Sequence, residues 1–139
     1  RLLVGAIKKV IKPYPRCEVK VAVQVLRDDG SSLAVAYNAC CLAMLDAGLS
    51  MRGAFSAASC ALLEDGIIVV DPTLEEERAA VANLFASWDS GGSLLSCQVT
   101  GRMDRNEYNL CLAKAKAAAA SAAAFIRLAY QQRVQVESS

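Results

Sequence analysis

The chain contains no histidine among its 139 residues. That removes imidazole as a general acid or base, the Ser-His-Asp and Cys-His nucleophile pairs, and histidine metal ligands. It has six cysteines, at 17, 40, 41, 60, 97 and 111, and no C-x-x-C pair among them. Zinc sites and redox motifs require such paired spacing, so the cysteines read as reduced, structural thiols set among apolar neighbours. Charge of one sign is also missing: 15 basic residues face 14 acidic ones. A net charge of +1 gives no global argument for a nucleic-acid-binding surface, which carries a basic excess or stripe. The longest apolar run that could suggest a membrane, at 117–126, lies between Lys116 and Arg127 and is too short to span a bilayer. No signal-peptide pattern is visible near residues 1–11, so the chain is expected to be intracellular and soluble.

What is abundant is apolar surface. Hydrophobic residues make up 55% of the chain and mean hydropathy is +0.31. For a chain this small, that implies apolar faces covered by partners, or a piece of a larger unit.

Periodicity divides the chain into elements. Residues 1–12 place Leu2, Leu3, Ala6, Ile7 and Val10 on one side of a helix, ended by Pro13 and Pro15. Residues 17–26 alternate, with Val19, Val21, Val23 and Val25 on one face, which predicts a strand. A turn follows, and Ser31 or Ser32 caps a predicted helix over 33–47 that stops at Gly48. Residues 51–63 and 66–71 predict two strands joined by an Glu-Asp-Gly turn. Residues 71–78 predict an acidic loop or helical turn. A second hairpin spans 80–89 and 93–101, broken by Ser-Gly-Gly-Ser. Asp104, with Glu107 three residues on, opens a long helix in which Tyr108, Leu112, Ala115, Ala119, Ala122, Ile126 and Tyr130 drift along one stripe. The alanine run within it is strong helix sequence. Helix, strand, helix, four strands and a long helix together make an α+β or α/β fold with helices packed on a mixed sheet.

The turn at Asp28-Asp29-Gly30-Ser31-Ser32 bears on function. Unpaired N–H groups and the helix dipole make a helix N-terminus a place for a phosphate. The spacing matches neither a P-loop nor a dinucleotide fingerprint, and ordinary serine capping accounts for it when it is taken alone.

The order of motifs is more specific. A strand ending in Asp-Asp-Gly-Ser, a helix with Asn38-Ala39-Cys40, then Asp46-Ala47-Gly48, an apolar strand, and Asp71-Pro72-Thr73 resemble the RNase PH family, and within it the eukaryotic exosome ring subunits. The resemblance covers almost the whole chain. It implies an RNase PH-like (ribosomal protein S5 domain 2-like) α+β fold, with residues 1–139 forming the C-terminal part of a single domain. The N-terminal half, with its basic RNA-facing loop and a further phosphate-contacting Arg, is expected to be absent.

Active members of that family cut RNA from its 3′ end with inorganic phosphate as nucleophile. Their turn reads Gly-Thr-Arg; here Gly30 is kept, Ser31 falls at the Thr and Ser32 at the Arg. A hydroxyl cannot make the paired, charge-assisted contacts of a guanidinium. The family's following Ser-x-Thr reads Val35-Ala36-Tyr37. Its two Asp, six residues apart, fall at Glu77 and Asn83, and Asn83 cannot ionise. Glu75, Glu76 and Glu77 are consecutive, but no Asp lies between Asp71 and Asp89, so the pair is broken in any register. On its own, the glutamate run reads as a solvated acidic loop or helix start. Arg52 and Arg102 could touch RNA but read first as surface charges, and Phe85 and Trp88 as core or interface anchors.

The resemblance therefore implies a non-catalytic subunit of the exosome ring, without cofactor or metal. Its expected partners are other RNase PH-like ring subunits, notably the one called ribosomal RNA-processing protein 43, together with S1/KH cap subunits and RNA in the central channel. Its expected location is the nucleus and nucleolus, and also the cytoplasm, with a role in RNA degradation and rRNA processing. The alternative is a working phosphate-dependent 3′–5′ exoribonuclease or a hydrolytic nuclease, with Glu77 as the surviving acid and the N-terminal half supplying Arg.

Overall fold

The computed structural model describes residues 2–12 and 16–138. Pro13 and Pro15, expected to end the first helix, lie outside the described residues. Among the described residues, four helices and four strands follow in the order α1 (Leu2–Val10), α2 (Ser32–Asp46), β1 (Phe55–Leu62), β2 (Ile68–Val70), α3 (Leu74–Ala79), β3 (Ala82–Asp89), β4 (Leu94–Gly101) and α4 (Arg105–Ser138). The strands form one sheet in the order β2-β1-β3-β4, and every pair in it is antiparallel. Of the α+β and α/β folds the element order allowed, the structure is α+β, and its sheet is antiparallel where a mixed sheet was expected, because hairpins β1-β2 and β3-β4 and the β1-β3 pairing set all described neighbours antiparallel.

Strand alternation sorts the core into two layers. Phe55, Ala57 and Phe85 face α1 and α2, where Tyr37, Cys41, Met44, Ala6 and Val10 close around them. Ala58, Cys60, Leu84, Ala86 and Trp88 face the other way, against Cys111, Ala115 and Ala119 of α4. β1 is buried along its whole length because both of its faces are covered. Phe85 and Trp88 are core residues, as expected. Arg52 and Arg102 are exposed.

Segment 17–26 departs from expectation. Its alternating valines predict a strand, but the segment is irregular and pairs with no neighbour among the described residues. Val19, Val21, Val23 and Val25 are all exposed, and Leu26 is 90% exposed. Alternation gives a segment the pattern of a half-buried strand, but the ladder needs a hydrogen-bonded neighbour.

Helix ends follow the sequence in part. Asp104 Oδ1 accepts the N–H of Glu107 at 2.7 Å, the expected cap of α4. The acidic stretch after Asp71-Pro72 becomes the short helix α3, with the Thr73 hydroxyl accepting from Glu76 N at 3.3 Å. No helix among the described residues is long and apolar enough to cross a membrane.

Candidate degenerate phosphate pocket

The expected caps of α2 are absent in their usual form. Ser31 sits at the N-cap with φ +54°, in the left-handed region, and its side chain makes no cap hydrogen bond. Its hydroxyl instead donates to the Pro72 carbonyl at 2.9 Å. Leu74 N donates to the Asp29 carbonyl at 3.0 Å, so the turn before α2 is stitched to the start of α3. Gly30 makes that approach possible. Its φ is +86°, and a Cβ there would lie 2.5 Å from Thr73 C and 2.6 Å from Pro72 O.

The same approach brings Glu77 to the turn. The Ser31 backbone N–H donates to Glu77 Oε1 at 2.7 Å, across 46 residues of sequence. A carboxylate thus takes one of the unpaired donors at the head of α2, where the helix dipole favours negative charge. Asn83 Nδ2 donates to the Glu77 carbonyl at 3.1 Å, while Asn83 Oδ1 is buried with no partner. The five residues singled out from the sequence, Gly30, Ser31, Ser32, Glu77 and Asn83, are therefore brought into one neighbourhood.

A cavity of about 270 Å³ opens there. Ser32, Glu77, Asn83, Ser59, Gln98 and Thr100 supply its polar lining. Glu77 is the one charged residue among those that line it, and no Lys or Arg is present. An anionic ligand would meet a carboxylate and no counter-charge.

The remaining nucleophile candidates are poorly placed. Cys60 borders the same cavity, but its thiol faces α4 and donates to the Cys111 carbonyl at 3.6 Å, and burial, and next the nearby Cys111, push it up to about 11. Tyr37, where the family resemblance puts a small hydroxyl, points into the core. Its ring meets Phe55 edge-on at 6.2 Å and Phe85 at 4.8 Å. Its hydroxyl lies 3.3 Å from Ser96 Oγ, which is 2.6 Å from Ser87 Oγ. Among the described residues, no group of three or more Cys, Asp or Glu is placed to hold a metal ion.

Sequence reasoning missed Ser59, Gln98 and Thr100. Asn83 pairs with Thr100 and Phe85 with Gln98 and Ser59, so alternate positions of three strands share this face. Alternation was legible within each strand; which strands would be neighbours was not.

The fold and this turn together define a class: an α+β domain whose antiparallel sheet carries helices on both faces, with the turn before α2 stitched to the start of α3. Comparison with known proteins agrees. Residues 1–50 match domain 1, and residues 53–118 domain 2, of the 3′ exoribonuclease family, and the chain belongs to that family, the RNase PH family. The two matches meet between α2 and β1.

The chain is 33% identical to the exosome complex exonuclease RRP46 homolog of Arabidopsis thaliana, over 88% of this chain and 59% of that protein. It is 30% identical to the putative exosome complex component RRP41 of Caenorhabditis elegans, over 97% of this chain and 57% of the relative. The crystal structure of rice (Oryza sativa) Rrp46 superposes with a TM-score of 0.73 at 30% identity, covering 78% of this chain and 52% of that one. The chain spans a little over half the length of the relatives it matches.

Proposed function

We propose that this chain is a non-catalytic structural subunit of the RNA exosome ring. Its homologues are named as exosome complex components, which supports association with other exosome subunits. In this reading the chain assembles beside RNase PH-like neighbours, among them ribosomal RNA-processing protein 43, with S1/KH subunits capping the ring. RNA passes through the central channel, and the subunit serves RNA degradation and rRNA processing in the nucleus, nucleolus and cytoplasm.

One observation carries the non-catalytic part. The pocket that would hold phosphate is lined by the Glu77 carboxylate and by no cation, and that carboxylate already takes the Ser31 N–H at 2.7 Å. A phosphorolytic site needs to hold an anionic nucleophile beside an anionic RNA chain. With no guanidinium or ammonium among the described residues that line it, the electrostatics oppose both.

The alternative of a working nuclease draws on the names of two relatives, the Arabidopsis exonuclease homolog and the C. elegans cell-death-related nuclease 5. The test is incubation of the full-length purified protein with 3′-labelled single-stranded RNA, with and without inorganic phosphate. Intact RNA in both arms is expected. Release of nucleoside diphosphates would establish phosphorolysis, and release of monophosphates without phosphate would establish hydrolysis. Recovery of the tagged protein from native extract in a particle of nine or more subunits is expected for a ring subunit; recovery alone or as a homodimer would overturn that role.

A further inference from the structure

The long helix α4 is apolar on two opposite sides, and only one of them is covered. Cys111, Ala115, Ala119 and Ile126 are buried against the body. On the opposite side, Leu110, Ala113, Ala117, Ala120, Ala124 and Leu128 are all exposed. Their spacing of three and four residues puts them on one stripe, about 27 Å long at 1.5 Å per residue. Leu110 is 56% exposed and Leu128 54%, and Phe125 beside the stripe is 66% exposed.

The charges beside the stripe have one sign. Lys114, Lys116 and Arg127 are exposed, and none is in an ion pair among the described residues. No acidic residue occurs on α4 between Glu107 and Glu137. A near-neutral chain thus shows a locally cationic rim around an apolar strip.

We propose that this outer face of α4 docks a helix of a partner protein whose contact stripe is apolar and whose flanks are acidic. Alanines along the stripe let the two axes approach to about 8 Å, and the heptad-like spacing suits a shallow crossing near +20°. A second copy of this chain fits poorly, because α4 against α4 would set cations beside cations. A nucleic-acid strand would use the cations but leave the stripe in water. The proposal does not rest on the exosome reading, since it follows from α4 alone.

The test uses two labelled synthetic helical peptides of about three heptads with the same Leu/Ala contact positions, one with Glu flanks and one with Lys flanks. Each is titrated with the purified full chain at physiological salt, followed by fluorescence anisotropy. The Glu-flanked peptide is expected to bind at least tenfold more tightly. The exposed double substitution Ala117→Glu/Ala124→Glu is expected to weaken it at least tenfold. The charge-reversed chain, Lys116→Glu/Arg127→Glu, is expected to prefer the Lys-flanked peptide, which keeps the test decisive if the alanine variant misfolds. Equal binding of the two peptides would overturn the proposal, as would binding unaffected by either variant, which would place the site on the basic residues near α1. Sedimentation showing a dimer broken by the alanine variant would assign the face to a second copy, and displacement of the peptide by oligouridylate would assign it to nucleic acid; either overturns it.

Discussion

The Ser31 backbone N–H and Glu77 Oε1 lie 2.7 Å apart, joining the head of α2 to the end of α3. A charge-assisted bond in a partly buried place is stronger than one between neutral groups. The bond sets a carboxylate at the head of α2 and holds α3 to the turn. Replacing Glu77 by Ala is expected to cost about 1–2 kcal/mol of stability, from the lost bond and the orphaned N–H. Glu77→Gln keeps an acceptor oxygen and is expected to lose less than about 1 kcal/mol. Urea midpoints at neutral pH distinguish them; equal loss in both variants would show that the carboxyl oxygen is not the acceptor that matters.

Gly30 and Gly66 both have positive φ, +86° and +82°, but only Gly30 is crowded. Ala at Gly66 meets no atom within 4 Å and is expected to cost only the left-handed backbone term, about 1–2 kcal/mol. Ala at Gly30 adds collision with the backbone of Pro72, Thr73 and Leu74, which cannot rotate away. It is expected to cost about 1–3 kcal/mol more than Gly66→Ala. Thermal unfolding of the two variants side by side checks the difference.

Tyr37 is fully buried, and its hydroxyl is one end of a small chain through Ser96 to Ser87. Tyr37→Phe keeps the ring packing on Phe55 and Phe85 and is expected to cost about 0.5–1.5 kcal/mol. Tyr37→Ala removes the ring from the α2 side of the core and is expected to cost about 3–5 kcal/mol. Chemical denaturation gives both values, and a larger loss for Phe than for Ala would contradict this packing.

The buried thiols make the fold sensitive to alkali. Cys60 ionises near 11 when folded, against an ordinary value of 9.0, because burial penalises the thiolate. Cys40, Cys41 and Cys111 are raised by burial as well, and so is Tyr37 from its own higher value. Between about pH 9 and 11 the unfolded chain has released thiol protons that the folded chain still holds, so stability falls with rising pH. Below about pH 9 these groups contribute no slope. Urea midpoints under reducing conditions are expected to be flat from pH 7 to 8 and to fall at pH 10. Titration with a thiol reagent at neutral pH is expected to modify exposed Cys17 quickly and the four buried thiols only on unfolding.

Much of the fold was legible because it depends on local pattern. The stripe through Ala115, Ala119 and Ile126, the Asp104 cap and the two hairpins follow from spacing, capping chemistry and turn residues. Segment 17–26 was misread because its valines carry a strand's pattern, and pattern does not supply the neighbouring strand. Ser31 or Ser32 was read as the cap of α2; Ser31 takes the N-cap position, but its hydroxyl turns to the Pro72 carbonyl, which only tertiary folding brings near.

By itself, the sequence determined which side chains the pocket can use: no histidine, a hydroxyl at Ser32, a carboxyl at Glu77 and a neutral amide at Asn83. These are matters of residue identity, and folding does not change them. Only the tertiary structure decided where Glu77 goes. From the sequence it was either the surviving acid or one of three glutamates in a solvated loop. The close approach at Gly30 places its carboxylate on the Ser31 amide, because a helix head with free N–H groups takes the nearest anion, and here that anion is its own.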